Sequence, residues 1–166
     1  IIGEKMTICG AGGAATAICI QAALDGVKEL SIFNRQDEFF KNAERTVALI
    51  NEKTDCKATL YDLKDQESLR QQIAESVIFT NATGVGMKPL QEESLITDPT
   101  MLRKELVVAD VVYVPSETKL LKLAKEQGCK TVNGLGMMLW QGAAAFEMWT
   151  GQEMPVEYIR ELLFEK

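Results

Sequence analysis

Short β-branched and apolar runs alternate along this chain with longer stretches whose apolar residues recur every three or four positions. Met6-Thr7-Ile8-Cys9 reads as a strand running into Gly10. Residues 13–24, rich in alanine and other small residues, predict a helix closed near Gly26. Leu30-Ser31-Ile32-Phe33 is a second strand. From Asp37 to about Asn51, Phe40, Ala43, Val47 and Ile50 recur at helical spacing with charges between them, and Asp37 sits where an N-cap or first-turn acid serves a helix. Further strands are expected over 57–60, 77–81, 106–111 and 130–132. Further helices are expected over 65–74, 118–127, 137–149 and, after Pro155, 156–164. Residues 88–105, with two prolines and scattered charge, look irregular.

Strand and helix alternating through short connections imply right-handed crossovers. The expected fold class is therefore α/β. It is a three-layer, doubly wound Rossmann-type domain over residues 1–166, with a mostly parallel six-stranded sheet and helices on both faces. A chain of 166 residues suits one such domain.

Charge narrows the function classes. Lys and Arg number 18 against 24 Asp and Glu, a net charge of −6 that argues against nucleic-acid binding and against docking on anionic membranes. The strongest apolar run, Val107 to Val114, is short and broken by Asp110, so no membrane span is expected. There is no signal peptide, and the first residue is Ile1 rather than Met, which points to a chain beginning inside a larger protein. The absence of histidine removes Ser-His-Asp and Cys-His catalysis together with His-ligated metals. Cys9, Cys19, Cys56 and Cys129 form no C-x-x-C pair and read as reduced, structural thiols in a cytoplasm, with no metal site.

The strongest chemical signal is Gly10-Ala11-Gly12-Gly13-Ala14-Ala15, directly after the first strand and opening a helix. This is a G-x-G-x-x-A dinucleotide fingerprint. Gly10 permits the tight turn, Gly12 lets backbone approach a pyrophosphate, and Ala15 lets helix and strand pack closely. The helix N-terminus offers free N–H groups to phosphate. The second strand runs into Asn34-Arg35-Gln36-Asp37. Arg35 suits a 2′-phosphate or an adenine face, and Asp37 suits ribose hydroxyls. The two pull in opposite directions, so both NAD and NADP stay open as cofactors.

Three later blocks are more specific: Asn81-Ala82-Thr83-Gly84-Val85-Gly86-Met87; Asp110-Val111-Val112-Tyr113-Val114-Pro115; and Asn133-Gly134-Leu135-Gly136-Met137 continuing through Gln141 to Gly151. With the glycine loop and Asn34-Arg35, they resemble the nucleotide-binding half of the shikimate dehydrogenase family. The block from Phe33 to Phe40 is similar to its quinate/shikimate branch. The resemblance implies hydride transfer between shikimate or quinate and NAD or NADP, as in aromatic amino acid biosynthesis. It implies that Gly10, Ala11, Gly12, Gly13 and Ala14 cradle the pyrophosphate with Thr83 nearby. Asn34, Arg35 and Asp37 then face the adenosine, and Val111, Tyr113 and Gly134 line the nicotinamide pocket. Gln141, helped by Tyr113, is implied to bind a substrate hydroxyl. Two positions depart from the family: Gly84 stands where the quinate branch can carry a lysine, and Val114 replaces an asparagine.

The family's acid–base lysine and aspartate belong to a preceding substrate domain, so no catalytic residue is expected in this chain. Lys5, Lys28 and Lys41 read as solvated surface charges. The isolated chain is expected to bind nucleotide without turnover. Two other readings remain open: a stand-alone dinucleotide-sensing module, and another Rossmann enzyme such as an S-adenosylmethionine methyltransferase. The helix over 137–149 is apolar around most of its circumference and is expected to be largely buried. The last helix, with Val156, Ile159, Leu162 and Leu163 on one stripe, can hide only part of it, so a homodimer through these helices is expected.

Overall fold

The periodic segments of the sequence become discrete elements in a computed structural model, which describes residues 1–164, the last two by backbone alone. The strands are β1 (Lys5–Cys9), β2 (Glu29–Asn34), β3 (Lys57–Asp62), β4 (Ile78–Asn81), β5 (Val107–Asp110) and β6 (Lys130–Val132). The helices are α1 (Gly13–Leu24), α2 (Phe40–Lys53), α3 (Gln66–Glu75), α4 (Lys119–Glu126), α5 (Leu135–Thr150) and α6 (Val156–Phe164). A single 3₁₀ turn, Pro99–Met101, breaks the otherwise irregular stretch between β4 and β5.

The strands join in the order β3-β2-β1-β4-β5-β6, and every pairing is parallel. The order reverses between β1 and β4, which opens a crevice at the carboxyl ends of those two strands. Alternate residues of the strands face opposite layers. Met6, Ile8, Leu30 and Ile32 pack under α1 and α2 with Ala15, Cys19 and Ile50. Cys9, Phe33, Phe79 and Val108 pack under α3 and α4 with Leu69, Ile73 and Leu121. The irregular stretch contributes Ile96 and Leu102 to this second core.

Several boundaries differ from the sequence reading for local reasons. The second helix begins at Phe40, not Asp37, and Phe39 is its N-cap, without a side-chain cap. Asp37 instead accepts hydrogen bonds from the Phe39 N–H and from Asn34 Nδ2, both at 3.0 Å, which pins it in the turn before the helix. Asp65 and Thr118 lie one residue outside their helices as N-caps, accepting from Ser68 N and Leu121 N. The fifth strand shrinks to Val107–Asp110 and the fourth begins at Ile78.

Two expectations are corrected. Lys5 is not a solvated charge: its side chain is 14% exposed and pairs with Glu75 and with Glu29. It ties the start of β1 to the start of β2 and the end of α3, whereas Lys28 and Lys41 are exposed. Helix α5 is not largely buried. Leu139 is its only buried residue, and Trp140 and Trp149 are 57% and 83% exposed. After Gly134 the helix leaves the sheet, and among the described residues its main packing partner is α6. Leu163, placed on the apolar stripe of α6, has a side chain outside the described residues.

Candidate functional site

The crevice between β1 and β4 holds a cleft of about 290 Å³. Its floor is the glycine loop. Gly10 adopts φ +117°, and a Cβ there would lie 2.4 Å from the Ala82 carbonyl oxygen. Only glycine allows that turn and that approach. Backbone bonds from Gly10 N to Phe33 O and from Ala82 N to Cys9 O, each 2.8 Å, lock the loop between β2 and β4. Gly12 and Gly13 differ, because a Cβ at either would meet nothing within 4 Å. Gly12 is the N-cap of α1 and supplies no side-chain cap, and no acidic residue occupies the first turn. The leading N–H groups of α1, and the positive end of its dipole, are thus available to an anion.

One wall comes from the end of β2. Asn34 Nδ2 donates to Arg35 O at 2.8 Å and to Asp37 Oδ1. Arg35 Nε and Asp37 Oδ2 lie 3.5 Å apart, and the Arg35 side chain is 73% exposed while that of Asp37 is 29% exposed. The two residues are paired across the cleft mouth. Phe39 and Leu63 add apolar surface beside them. The opposite wall is Ala82 to Val85, with Leu90 and Leu95 beyond it.

A second, more apolar cleft of about 380 Å³ runs along the α1 face of the sheet, over β4, β5 and β6, and includes Val111, Gly134 and Met137. Gly134 is buried at its rim, where a Cβ would lie 2.0 Å from the Val111 carbonyl oxygen. The chain can cross β5 there only with glycine.

The structure therefore gathers Gly10, Ala11, Gly12, Asn34, Arg35, Asp37 and Thr83 in one cleft, and Val111 and Gly134 in the other. Gly13 and Ala14 form the first turn of α1 beside the first cleft. Tyr113 and Gln141 are exposed and line neither cleft.

Four polar residues to which the sequence assigned no role in the site support the clefts. Asn42, on α2, donates from Nδ2 to Ala11 O at 2.6 Å and to Thr16 Oγ1 at 3.1 Å, bracing the glycine loop from behind. Asn81, Asp110 and Thr118 form a buried network behind the Ala82–Val85 wall. Burial pushes the Asp110 carboxyl above the usual range, against the opposing pull of donors from Val112, Thr118 and Asn81. Burial also pushes all four thiols up, Cys19 to about 12, which makes them poor nucleophiles. Among the described residues no cluster of Cys, Asp and Glu could hold a metal ion, and no helix is long and apolar enough to cross a membrane.

Comparison with known proteins agrees with this fold. Residues 134–164 match the shikimate 5′-dehydrogenase C-terminal domain family. A shikimate dehydrogenase (NADP(+)) from Listeria monocytogenes is 72% identical over 164 residues, which is 99% of this chain and 56% of the relative. One from Streptococcus uberis is 61% identical over 162 residues, covering 97% of this chain and 55% of the relative. The chain thus spans a little over half the length of the curated relatives it matches. The crystal structure of L. monocytogenes shikimate 5-dehydrogenase in complex with shikimate and NAD superimposes with a TM-score of 0.94 at 72% identity, covering 99% of this chain and 57% of that one. Quinate dehydrogenase from Corynebacterium glutamicum in complex with NAD gives a TM-score of 0.84 at 30% identity, covering 99% and 56%. Along nearly its whole length the chain is thus similar to part of the shikimate dehydrogenases, and over residues 134–164 to their C-terminal domain.

Proposed function

We propose that this chain is the nicotinamide-dinucleotide-binding part of a dehydrogenase that interconverts shikimate or quinate and the corresponding ketone. The observation that carries the reading is the first cleft. A glycine-floored crevice lies at the point where strand order reverses, with an uncapped helix N-terminus at its base.

The bound dinucleotide supplies the hydride carrier. The chain's residues bind and orient it. N–H groups of Gly12, Gly13 and Ala14, with Ala11 and Thr83 beside them, hold the pyrophosphate. Asn34, Arg35 and Asp37 face the adenosine end. Asp37 is held by Asn34 and the Phe39 N–H, which leaves a carboxylate facing the ribose hydroxyls and opposing a 2′-phosphate, while Arg35, largely exposed and paired with Asp37 at 3.5 Å, exchanges that partner for one. Both NAD and NADP therefore bind. Val111, Tyr113 and Gly134 border the nicotinamide, and Gln141 with Tyr113 reaches a substrate hydroxyl once a substrate domain closes over α5. The group that takes the alcohol proton is assigned to that domain, since neither cleft of this chain is lined by a lysine or histidine. The exposed Trp140, Met148 and Trp149 are the surface that the domain covers, or that pairs two isolated chains as a homodimer. The four unpaired, buried thiols support a cytoplasmic setting for this work.

Titration with NADH and NADPH tests this. Both are expected to bind saturably, and Gly12→Val is expected to remove binding without unfolding the chain, because its side chain enters open space in the cleft. Wild-type affinity in Gly12→Val overturns the cleft assignment. Shikimate oxidation by the isolated chain overturns the absence of turnover.

A further inference from the structure

Asp110 is the least expected side chain in the molecule. It is 2% exposed at the end of a core strand, and it belongs to none of the ion pairs among the described residues. A buried carboxylate without a cation is held only where neutral donors converge on it. Here three do. Oδ1 accepts from Asn81 Nδ2 and from the Val112 N–H, each at 3.0 Å, and Oδ2 accepts from Thr118 Oγ1 at 2.7 Å. Asn81 and Thr118 are each 1% exposed.

The donors belong to two loops. Asn81 passes the constraint into the wall of the first cleft. Its other amide hydrogen goes to Val85 O at 2.9 Å, and its Oδ1 accepts from the Thr83 N–H and Oγ1 at 3.0 and 2.7 Å. Thr83 Oγ1 in turn accepts from the Val85 N–H at 3.1 Å. Thr118 closes the loop from behind: Gly86, at φ +99°, packs so close that a Cβ there would lie 3.0 Å from Thr118 Cγ2. On the other side the Val112 bond fixes the backbone beside Val111, which borders the second cleft. One carboxylate therefore anchors a wall of each cleft.

We propose that Asp110, whose carboxylate is taken up by Asn81, Val112 and Thr118, is a positioning residue for the dinucleotide, setting the Ala82–Val85 wall through Asn81 and the Val111 wall through Val112. This rests on the dinucleotide reading above. Its logic is that an acceptor with two oxygens fixes both loops relative to β4 and β5, and that cleft geometry, not overall packing, carries affinity.

The test compares NADH binding by fluorescence titration in the whole chain, below the melting temperature of each variant. Wild-type binding comes first, and its absence sinks the dinucleotide reading itself rather than this one. Asp110→Ala removes all three acceptor contacts and is expected to weaken NADH about tenfold or more. Asp110→Asn keeps an oxygen toward Asn81 and Val112 and turns its amide to Thr118 Oγ1, so it is expected to stay within about threefold of wild type. Ile73→Ala, which opens the fully buried core under α3 far from both loops, is expected to lower the melting temperature yet leave affinity within about twofold. Unchanged affinity in Asp110→Ala overturns the proposal, as does equal loss in Ile73→Ala or failure of Asp110→Asn to restore binding. If Asp110→Ala has no cooperative melt, Asn81→Ala severs the same link at the cleft wall, and wild-type NADH affinity there is equally fatal.

Discussion

Helices α4 and α5 follow successive strands and end in opposite environments. The eight residues of α4 bury Leu120, Leu121 and Ala124, while its lysines stand in solvent. The sixteen residues of α5 carry one charge, Glu147, and bury only Leu139. An amphipathic stripe has one side to cover, and the sheet covers it. A helix that is apolar all round needs cover on every side, and here α6 supplies part of one. Apolar sequence thus states a demand for burial, and only the fold shows whether the same chain meets it.

The contrast can be sharpened by truncating one side chain in each helix. Leu121→Ala should cost about 2–4 kcal/mol, since it opens a cavity in a closed core. Trp149→Ala, though it removes a larger side chain, should stay within about 0.5 kcal/mol, because 83% of it already faces water. Calorimetry on both variants reads the difference. A costly Trp149→Ala would show that α5 is covered in solution.

A smaller effect bears on what covers α5. If two chains pair through it, Trp149→Glu should raise the dimer dissociation constant about tenfold to a hundredfold, roughly 1–3 kcal/mol, read by light scattering over a dilution series. An unchanged series, or a wild-type monomer at every concentration, excludes pairing through this face.

The smallest effect belongs to the surface of the body. Asp98 is held near pKa 2, first by the Thr100 hydroxyl and then by Arg70, against an ordinary value of 3.8. Hydrogen bonds and cations likewise lower Asp65, Glu75 and Glu117. For a lowered carboxyl the stabilisation is present above the unfolded pKa and is lost as pH falls through the folded one. Melting temperature should therefore decline from about pH 5 toward pH 2, and Asp98→Asn should flatten that decline slightly. An identical slope in the variant shows that Asp98 takes no part.

The alternation of strand and helix was readable because each element keeps its own period, and the glycine loop because its spacing is local. Ile96 and Leu102 were not readable as core, since an irregular stretch has no period to betray which residue turns inward. Asn42, Asn81 and Thr118 were missed for a different reason. Asn42 reaches Ala11 across 31 positions and Asn81 reaches Asp110 across 29, while Thr118, readable as the start of a helix, turns its hydroxyl back to Asp110 eight positions before it. Asp110 did leave a trace, as a lone carboxylate interrupting the strongest apolar run. A charge in such a run has to be met by donors from elsewhere, and that was the available clue.

The four cysteines divide evenly between the two faces of the sheet. Cys9 and Cys129 lie in the layer under α3 and α4, and Cys19 and Cys56 in the layer under α1 and α2. None can meet a thiol reagent while its layer is shut. The molecule therefore carries two pairs of internal clocks. In a pulse of alkylating agent followed by mass spectrometry, simultaneous modification of both pairs means the sheet opens as a unit. Earlier modification of one pair identifies the layer that lifts first.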